Sequence, residues 1–198
     1  MNKRKAIVVV ILSFMTLYLS AQEVKYEIKS AIIKKEVVAM GQKFEAVTYI
    51  DDFGQKESAE ITLKNGIADG VDKHIRTIAD GSSVINVDLD LNVANRMNLP
   101  DKPINYLQLT PEIREKYKIE ETGEEKITGK LCQKYSFEVT QMGQTMQIKT
   151  WVWKGIVLKS EMSGNGMVVS IETATEIQED VDVPADKLIV PEGITITG

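Results

Sequence analysis

Apolar and polar residues alternate in short segments along most of this chain, and a period of two is typical of half-buried β-strands. The segments with this pattern are predicted to be strands: 24–28, 44–50, 57–63, 73–78, 84–89, 131–139, 145–153, 156–162 and 168–177. Turn residues separate them, for example Asp80-Gly81, a pair that favours tight hairpins. The short and even spacing of these turns predicts a mainly β protein.

One segment departs from this period and is predicted to be a short helix over the sheet, Thr110 to Tyr117. Thr110 is a favourable N-cap, and Pro111 follows at a position where its missing N–H costs nothing. Glu112 suits the positive end of the helix dipole. The polar stretch 120–125 is predicted to end this segment as a solvated loop, and the prolines of the tail predict an extended carboxyl terminus.

The amino terminus carries a different pattern. Lys3, Arg4 and Lys5 precede an almost wholly apolar run, residues 6–19, and Ser20-Ala21 then supplies small residues. A cationic, an apolar and a small-residue segment in this order are typical of a secretory signal peptide. The apolar run has about 14 residues, fewer than the ~18–20 of a membrane-spanning helix, although an uncleaved signal anchor stays the alternative. We therefore predict cleavage after Ala21 and a mature protein in the periplasm or outside the cell.

The mature segment, residues 22–198, has a length typical of one domain, and no repeat or long linker divides it. The chain has 24 basic and 29 acidic residues, and the leader holds three of the basic ones, which leaves a mature net charge of −8. An acidic surface argues against nucleic acid as a partner, because it repels phosphate groups. No cysteine ends the leader, so we expect no lipid anchor and no stable attachment to the membrane.

Residues that carry enzyme chemistry are sparse. His74 is the single histidine, and the sequence has no nucleophile motif, HExxH, phosphate-binding loop or CxxC pair. Cys132, the single cysteine, lies in an apolar segment, which favours a buried side chain over a reactive or intermolecularly paired thiol. The acidic groups 51–52, 120–125 and 176–182 lack EF-hand spacing and are interpreted as solvated loops, with calcium binding as the alternative. We therefore predict a protein that is not an enzyme and needs no metal or cofactor.

Three stretches taken together resemble a known superfamily. They are Thr48–Gly54 (TYIDDFG), Thr128–Tyr135 (TGKLCQKY) followed by Thr150–Lys159 (TWVWKGIVLK), and the tail segments 174–177 and 183–193. In this order they are similar to small secreted bacterial proteins related to the outer-membrane lipoprotein carrier and sorting proteins. The resemblance implies a strongly curved antiparallel sheet, an incomplete barrel, with one or a few short helices on its concave side. In the carriers, the concave face holds acyl chains.

Methionine and tryptophan provide the candidate ligand-binding residues. Flexible, polarizable methionine side chains suit irregular apolar ligands, and those after the leader are Met40, Met97, Met142, Met146, Met162 and Met167. Trp151 and Trp153 are two positions apart in a predicted strand and therefore share one face. We predict that Trp151 and Trp153 line the concave face and that Met142 and Met146 close its rim. Core packing of both tryptophans is the alternative.

These observations lead to one functional hypothesis and one alternative. The hypothesis is a periplasmic, non-enzymatic binding protein whose concave face holds an acyl chain, a lipid or a lipoprotein anchor. Burial of apolar surface would supply the affinity, at ~0.8 kcal/mol for each CH₂ group. The alternative is an interaction module of the cell envelope, whose cavity is filled by its own side chains and whose partner is a protein.

Overall fold

The computed structural model describes residues 24–39, 41–64, 72–99, 103–141 and 144–198. These residues form one α-helix, α1 (Pro111–Tyr117), and two short 3₁₀ helices (Asp52–Gly54 and Ala185–Leu188). The strands in chain order are β1 (Ala31–Ala39), β2 (Gln42–Asp51), β3 (Lys56–Leu63), β4 (Lys73–Asp80), β5 (Ser83–Asp88), β6 (Val93–Asn98), β7 (Glu120–Ile127), β8 (Lys130–Gln141), β9 (Gln144–Trp153), β10 (Ile156–Gly164), β11 (Met167–Glu179) and β12 (Ile196–Thr197). The predicted leader, 1–21, lies outside the described residues.

All of these strands belong to one sheet, in the order β12-β6-β5-β4-β3-β2-β1-β11-β10-β9-β8-β7. Neighbours are antiparallel except at β12, which pairs in parallel with β6 and places Ile196 opposite Ala94. The sheet is open, with β12 at one edge and β7 at the other. The predicted fold class, a mainly β protein with an antiparallel and incompletely closed sheet, is confirmed.

Register shifts interrupt several of the strand pairs. They fall at residues 34–35 where β1 pairs with β11, at 162–163 where β10 pairs with β11, at 157–159 where β10 pairs with β9, and at 121–123 of β7. A bulge bends its own strand and increases the local right-handed twist. These irregularities therefore add curvature to a sheet that does not close.

The helix α1 forms as its sequence predicts. The Thr110 Oγ1 atom accepts a hydrogen bond from the Ile113 N–H (3.4 Å), and Lys118 ends the helix in the left-handed conformation. Ile113 and Tyr117 pack against a buried cluster that includes Phe137 of β8, so the helix lies over the sheet. Within the part of the chain that the structure describes, no helix has the length and apolar character needed to cross a bilayer.

Several predictions of local structure are wrong. Residues 24–28 form no strand, because the N–H groups of Lys25 and Tyr26 donate to the Phe53 carbonyl instead of to a ladder. The acidic stretch 120–125 belongs to the edge strand β7 rather than to a loop, and its side chains are exposed on both faces. The acidic residues 176–179 likewise belong to β11, and the apolar pattern predicts neither β6 nor β12.

The main core lies where the segment before β1 meets the sheet. Its fully buried members include Ile33, Ile50, Leu158 and Cys132. Burial of Cys132 confirms its interpretation as a small core residue, and this burial raises the pKa of the thiol. Gly155 permits the close approach of the two parts, because a Cβ there would lie 2.4 Å from the Lys25 carbonyl oxygen.

The carboxyl-terminal tail covers a second core. Ile78, Ile85 and Val87 are buried in it, and Val190 and Ile194 of the tail pack against them. The tail therefore removes the apolar side chains of β4 and β5 from water on one face of the sheet.

Arg76 fastens the tail to the sheet. Its guanidinium donates to the carbonyl oxygens of Asp186 (2.6 Å) and Ile189 (2.9 Å), and its side chain is only 6% exposed. It also donates to the Glu60 carboxylate at 2.7 and 2.9 Å, and the Lys187 ammonium donates to the same carboxylate at 3.2 Å. The charges of this cluster are therefore paired where the tail crosses β3 and β4.

Candidate functional site

The helix α1 lies over one face of the sheet, and the strand registers show which other side chains belong to the same face. Partners in an antiparallel ladder point to the same side of the sheet. Phe137 beneath the helix is opposite Ile148 of β9, and Ile148 is opposite Met162 of β10. Val139 of β8 is likewise opposite Met146 of β9. The apolar side chains beyond the helix therefore share its face.

The same face continues across the middle of the sheet. Met162 is opposite Ser170 of β11, and Ser170 is opposite Ala39 of β1. Val37, two positions from Ala39, is opposite Phe44 of β2. We call the following six residues the open face: Val139, Met146, Ile148, Met162, Val37 and Phe44. They extend over the neighbouring strands from β8 to β2.

The open face is only partly covered by the rest of the chain. Phe44 is buried, Met162 is 37% exposed, and the other four members are half-buried. Gly164 makes room for Met146, because a Cβ at residue 164 would lie 2.7 Å from the Met146 Sδ. Met167, which is 69% exposed, lies opposite Gly164 at the end of the same face. The surface is thus apolar on β8 to β10 and again on β1 and β2, with the polar residues Ser170 and Glu172 of β11 between the two parts, and it is open to solvent at its methionines.

One ion pair lies on this face. Lys35 of β1 is two positions from Val37, and its Nζ lies 2.5 Å from the Glu172 Oε1 of β11. The partner of Glu172 in the ladder is Val37, which places both charged side chains on the side of the open face. The Lys35 side chain is 11% exposed and that of Glu172 is 39% exposed. The lysine side chain is therefore the more buried of the two.

Trp151 lies on the other face of β9, opposite Lys134 of β8. Its ring is only 3% exposed, and its Nε1 donates to the Glu125 Oε2 (2.8 Å). The ammonium nitrogens of Lys159 and Lys134 lie 4.1 and 5.2 Å from the ring centroid. The hydrogen bond from the indole lowers the pKa of Glu125, because it favours the ionised carboxylate.

Trp153 has a similar environment at the end of the same strand. The ammonium nitrogens of Lys154 and Lys130 lie 4.6 and 4.8 Å from its ring centroid, and the Glu179 carboxylate pairs with both lysines. A cation over an indole ring stabilises by about 0.5–2 kcal/mol, depending on its exposure. Lysine side chains of the protein itself therefore cover both tryptophans.

The structure describes three of the four predicted ligand-binding residues and does not bring these three into one cluster. Met146 belongs to the open face, whereas Trp151 and Trp153 lie on the opposite side of β9. Met142 lies outside the described residues. The position numbers of Met146 and Trp151 differ by an odd number, and this parity alone places them on opposite faces of one strand. Their contact with a ligand stays a prediction.

Sequence reasoning missed the contribution of β1 and β2 to this face. Val37 and Phe44 share a face with Met162 only because β1 pairs with β11, and these two strands are far apart in the sequence. The alternation of Phe44, Ala46 and Thr48 was the available signal, since all three are buried on one side of β2.

Two shallow depressions lie away from the open face. One of 260 Å³ is lined by Val93 and Thr197 at the β6 edge, and one of 230 Å³ is lined by His74 and Arg76. Both are smaller than the ~300–1,000 Å³ of ordinary small-molecule pockets. A hydrogen bond to Asp90 raises the pKa of His74. Over the described ranges, no cluster of histidine, cysteine and acidic side chains could hold a metal ion.

The sequence matches no family model, and no curated protein matches it. Solved structures do match the fold. An uncharacterized conserved protein from Thermus thermophilus is 14% identical, with a TM-score of 0.56, over 89% of this chain and 99% of that chain. That likeness extends over nearly the full length of both chains and shows a shared fold.

The fold is also similar to that in the Pseudomonas aeruginosa MucA/MucB complex, at 12% identity and a TM-score of 0.52, over 85% of this chain. This chain spans only 58% of the matched chain there. A putative outer membrane lipoprotein-sorting protein domain from Vibrio parahaemolyticus is 11% identical, with a TM-score of 0.39, over 84% of this chain and 94% of that chain. The mainly antiparallel, incompletely closed sheet that the sequence resemblance implies is confirmed.

Proposed function

We propose that this protein is a non-enzymatic binding protein of the cell envelope that holds a hydrophobic ligand on its open face. The ligand would be an acyl chain, a lipid or a lipoprotein anchor. The observation that carries the proposal is the partly exposed set of apolar side chains on the face that bears α1, with Met162 37% exposed. Apolar surface that a soluble protein leaves open to water often marks a binding site.

The composition of the open face suits a flexible apolar chain. Met146 and Met162 lie near its centre, and methionine adapts its shape to irregular apolar surfaces. Full burial of a methionine side chain is worth about 1.5–3 kcal/mol, and each CH₂ of the ligand adds ~0.8 kcal/mol. Together these contributions are large enough to offset part of the free-energy cost of association.

The proposed compartment follows from the amino terminus. Residues 1–21 have the order of a secretory signal peptide, and residues 22–198 would then be the mature single domain, soluble in the periplasm or secreted. The fold likeness to a chain of the MucA/MucB complex and to a lipoprotein-sorting domain agrees with a binding role in the envelope.

A protein partner is the second candidate, and two observations favour it. The two depressions of 260 and 230 Å³ are too small to enclose an acyl chain, and both tryptophans are covered by the protein's own lysines. The fold also occurs in a complex of two proteins, MucA and MucB. An envelope protein could then cover the open face in place of a lipid.

The test measures displacement of an uncharged fluorescent probe, N-phenylnaphthylamine, from delipidated mature protein by dodecanol. We expect saturable displacement, and Met162→Glu should weaken it at least about tenfold, because a carboxylate would be buried against the ligand. Leu91→Glu is the matched control, since Leu91 is 70% exposed in the turn before β6, and it should leave binding unchanged. Absence of saturable displacement from folded protein would support the protein-partner candidate instead.

A further inference from the structure

Lys35 places a cation within the apolar surroundings of the open face. Its ladder partners are Ala46 of β2 and Ala174 of β11, and both alanines are buried. Because both alanines are small, the long Lys35 side chain has room to lie along the sheet surface. The result is a lysine side chain that is 11% exposed and lies on the same face as Val37. A buried ammonium requires an anion beside it, because an unpaired buried charge is very unfavourable.

Glu172 supplies that anion in the unliganded protein, and the two partners differ in exposure. The Glu172 side chain is 39% exposed, so its carboxylate can rotate into water without a change of the backbone. The Lys35 side chain is more enclosed, at 11% exposure, and has less room to turn towards water. The geometry therefore permits another anion to replace the carboxylate of Glu172 at the Lys35 Nζ.

We propose that Lys35 binds the acidic headgroup of the ligand, so that the open face takes a long-chain carboxylate rather than a neutral lipid. The inference rests on the proposed function, because the acyl chain would lie along the same apolar side chains. A carboxylate is the group that Lys35 already binds, and an ammonium offers it up to three donors. The chain of the ligand would extend from Val37 towards Met162 and Met146, across β11, β10 and β9.

The distance across these strands suits a long chain. Neighbouring strands lie about 4.8 Å apart, so the surface from β1 to β8 spans about 19 Å. The headgroup end is fixed by the Lys35 ammonium on β1, and the far end reaches Met146 of β9 and Val139 of β8. Binding would thus combine one charge-assisted hydrogen bond with apolar burial along the sheet.

The experiment compares dodecanoate with dodecanol in the same displacement assay, at about pH 8, where the carboxylic acid is ionised. The expected result is at least about tenfold tighter binding of dodecanoate. Lys35→Met should abolish this preference and leave the affinity for dodecanol unchanged. Glu172→Gln should raise the affinity for dodecanoate several-fold, because the competing carboxylate is gone, and should not change that for dodecanol. The double variant Lys35→Met/Glu172→Gln, which leaves no unpaired charge, should behave as Lys35→Met does.

The outcomes separate the two proposals. Equal affinity for dodecanoate and dodecanol, unchanged in Lys35→Met, would overturn the headgroup site while the open face stays a hydrophobic site. Displacement by neither compound would overturn the proposed function itself. A dodecanoate preference that persists in both variants that lack Lys35 would also contradict this inference, because another group would then hold the carboxylate.

Discussion

The open face and the core beneath the tail are two apolar regions of the sheet, and they differ in how far the chain covers them. Along β2, Phe44 and Tyr49 point to opposite faces, and Tyr49 is opposite Ser58 of β3, which is opposite Ile78 of β4. The core around Ile78 therefore lies on the face away from the open face, and the tail covers it. The open face has no equivalent cover at Met162, which is 37% exposed.

The two regions differ because different segments of the chain cover them, and to different extents. The tail is held over its core by hydrogen bonds from Arg76 to two carbonyl groups, together with apolar contacts of Val190 and Ile194. On the other face, α1 covers the side chains near β8 and stops short of Met146 and Met162. One apolar region thus stabilises the fold, whereas the other is available to a ligand.

The largest expected effect compares one residue from each region. Ile85→Ala, in the core beneath the tail, should lower the free energy of unfolding by about 2–5 kcal/mol, because it removes buried methylene groups and leaves a cavity. Met162→Ala on the open face should lower it by about 0.5 kcal/mol or less, because the side chain is already partly in water. Urea unfolding followed by circular dichroism measures both. Equal losses for the two variants would mean that Met162 is packed in solution.

A smaller effect concerns the attachment of the tail. Arg76→Met should lower the free energy of unfolding by about 2 kcal/mol, less than the 3–5 kcal/mol of a fully buried pair, since Glu60 is 21% exposed and keeps Lys187. Amide exchange in the tail, for example at Ile194, should become faster.

The control for the tail is another arginine with an exposed ion pair. Arg96 pairs with Asp80 and its side chain is 38% exposed, so Arg96→Met should cost about 0–1 kcal/mol and leave exchange in the tail unchanged. If amide exchange in the tail of Arg76→Met keeps its wild-type rate, Arg76 does not hold the tail on the sheet.

The sequence predicts strands well where one face is buried and poorly where neither is. In β2, Phe44, Ala46, Thr48 and Ile50 are buried alternately, and this period of two is visible in the sequence. In β7 the residues from Glu120 to Lys126 are exposed on both faces, so charge at an edge strand replaces the apolar signal. The two-residue strand β12 is too short to produce a pattern.

The residues of the candidate site likewise divide into those that the sequence could predict and those that it could not. Met146 could be predicted, because methionine type and strand membership are local properties of the sequence. The Lys35–Glu172 pair could not, because its residues are 137 positions apart and meet only when β1 pairs with β11. Two of the lysines over Trp151 and Trp153 could not be predicted either, since Lys130 and Lys134 lie on a neighbouring strand.

The smallest expected effect is a pH dependence that belongs to the covered region. Burial alone would raise the pKa of Glu60, but hydrogen bonds and charges from Arg76 and Lys187 outweigh it, and the net pKa is lowered from about 4.5. A carboxylate with a lowered pKa in the folded state stabilises the fold above the pKa of the unfolded state, and this contribution is lost as the pH falls through the folded-state pKa.

The wild type should therefore be more stable than Glu60→Gln at neutral pH, and the difference should shrink below about pH 4.5. Urea unfolding of both proteins between neutral pH and about pH 3 measures it, and Lys187→Met should narrow the neutral-pH difference by removing one of the partners. A difference that stays constant over this range would show that Glu60 does not hold the tail through its charge.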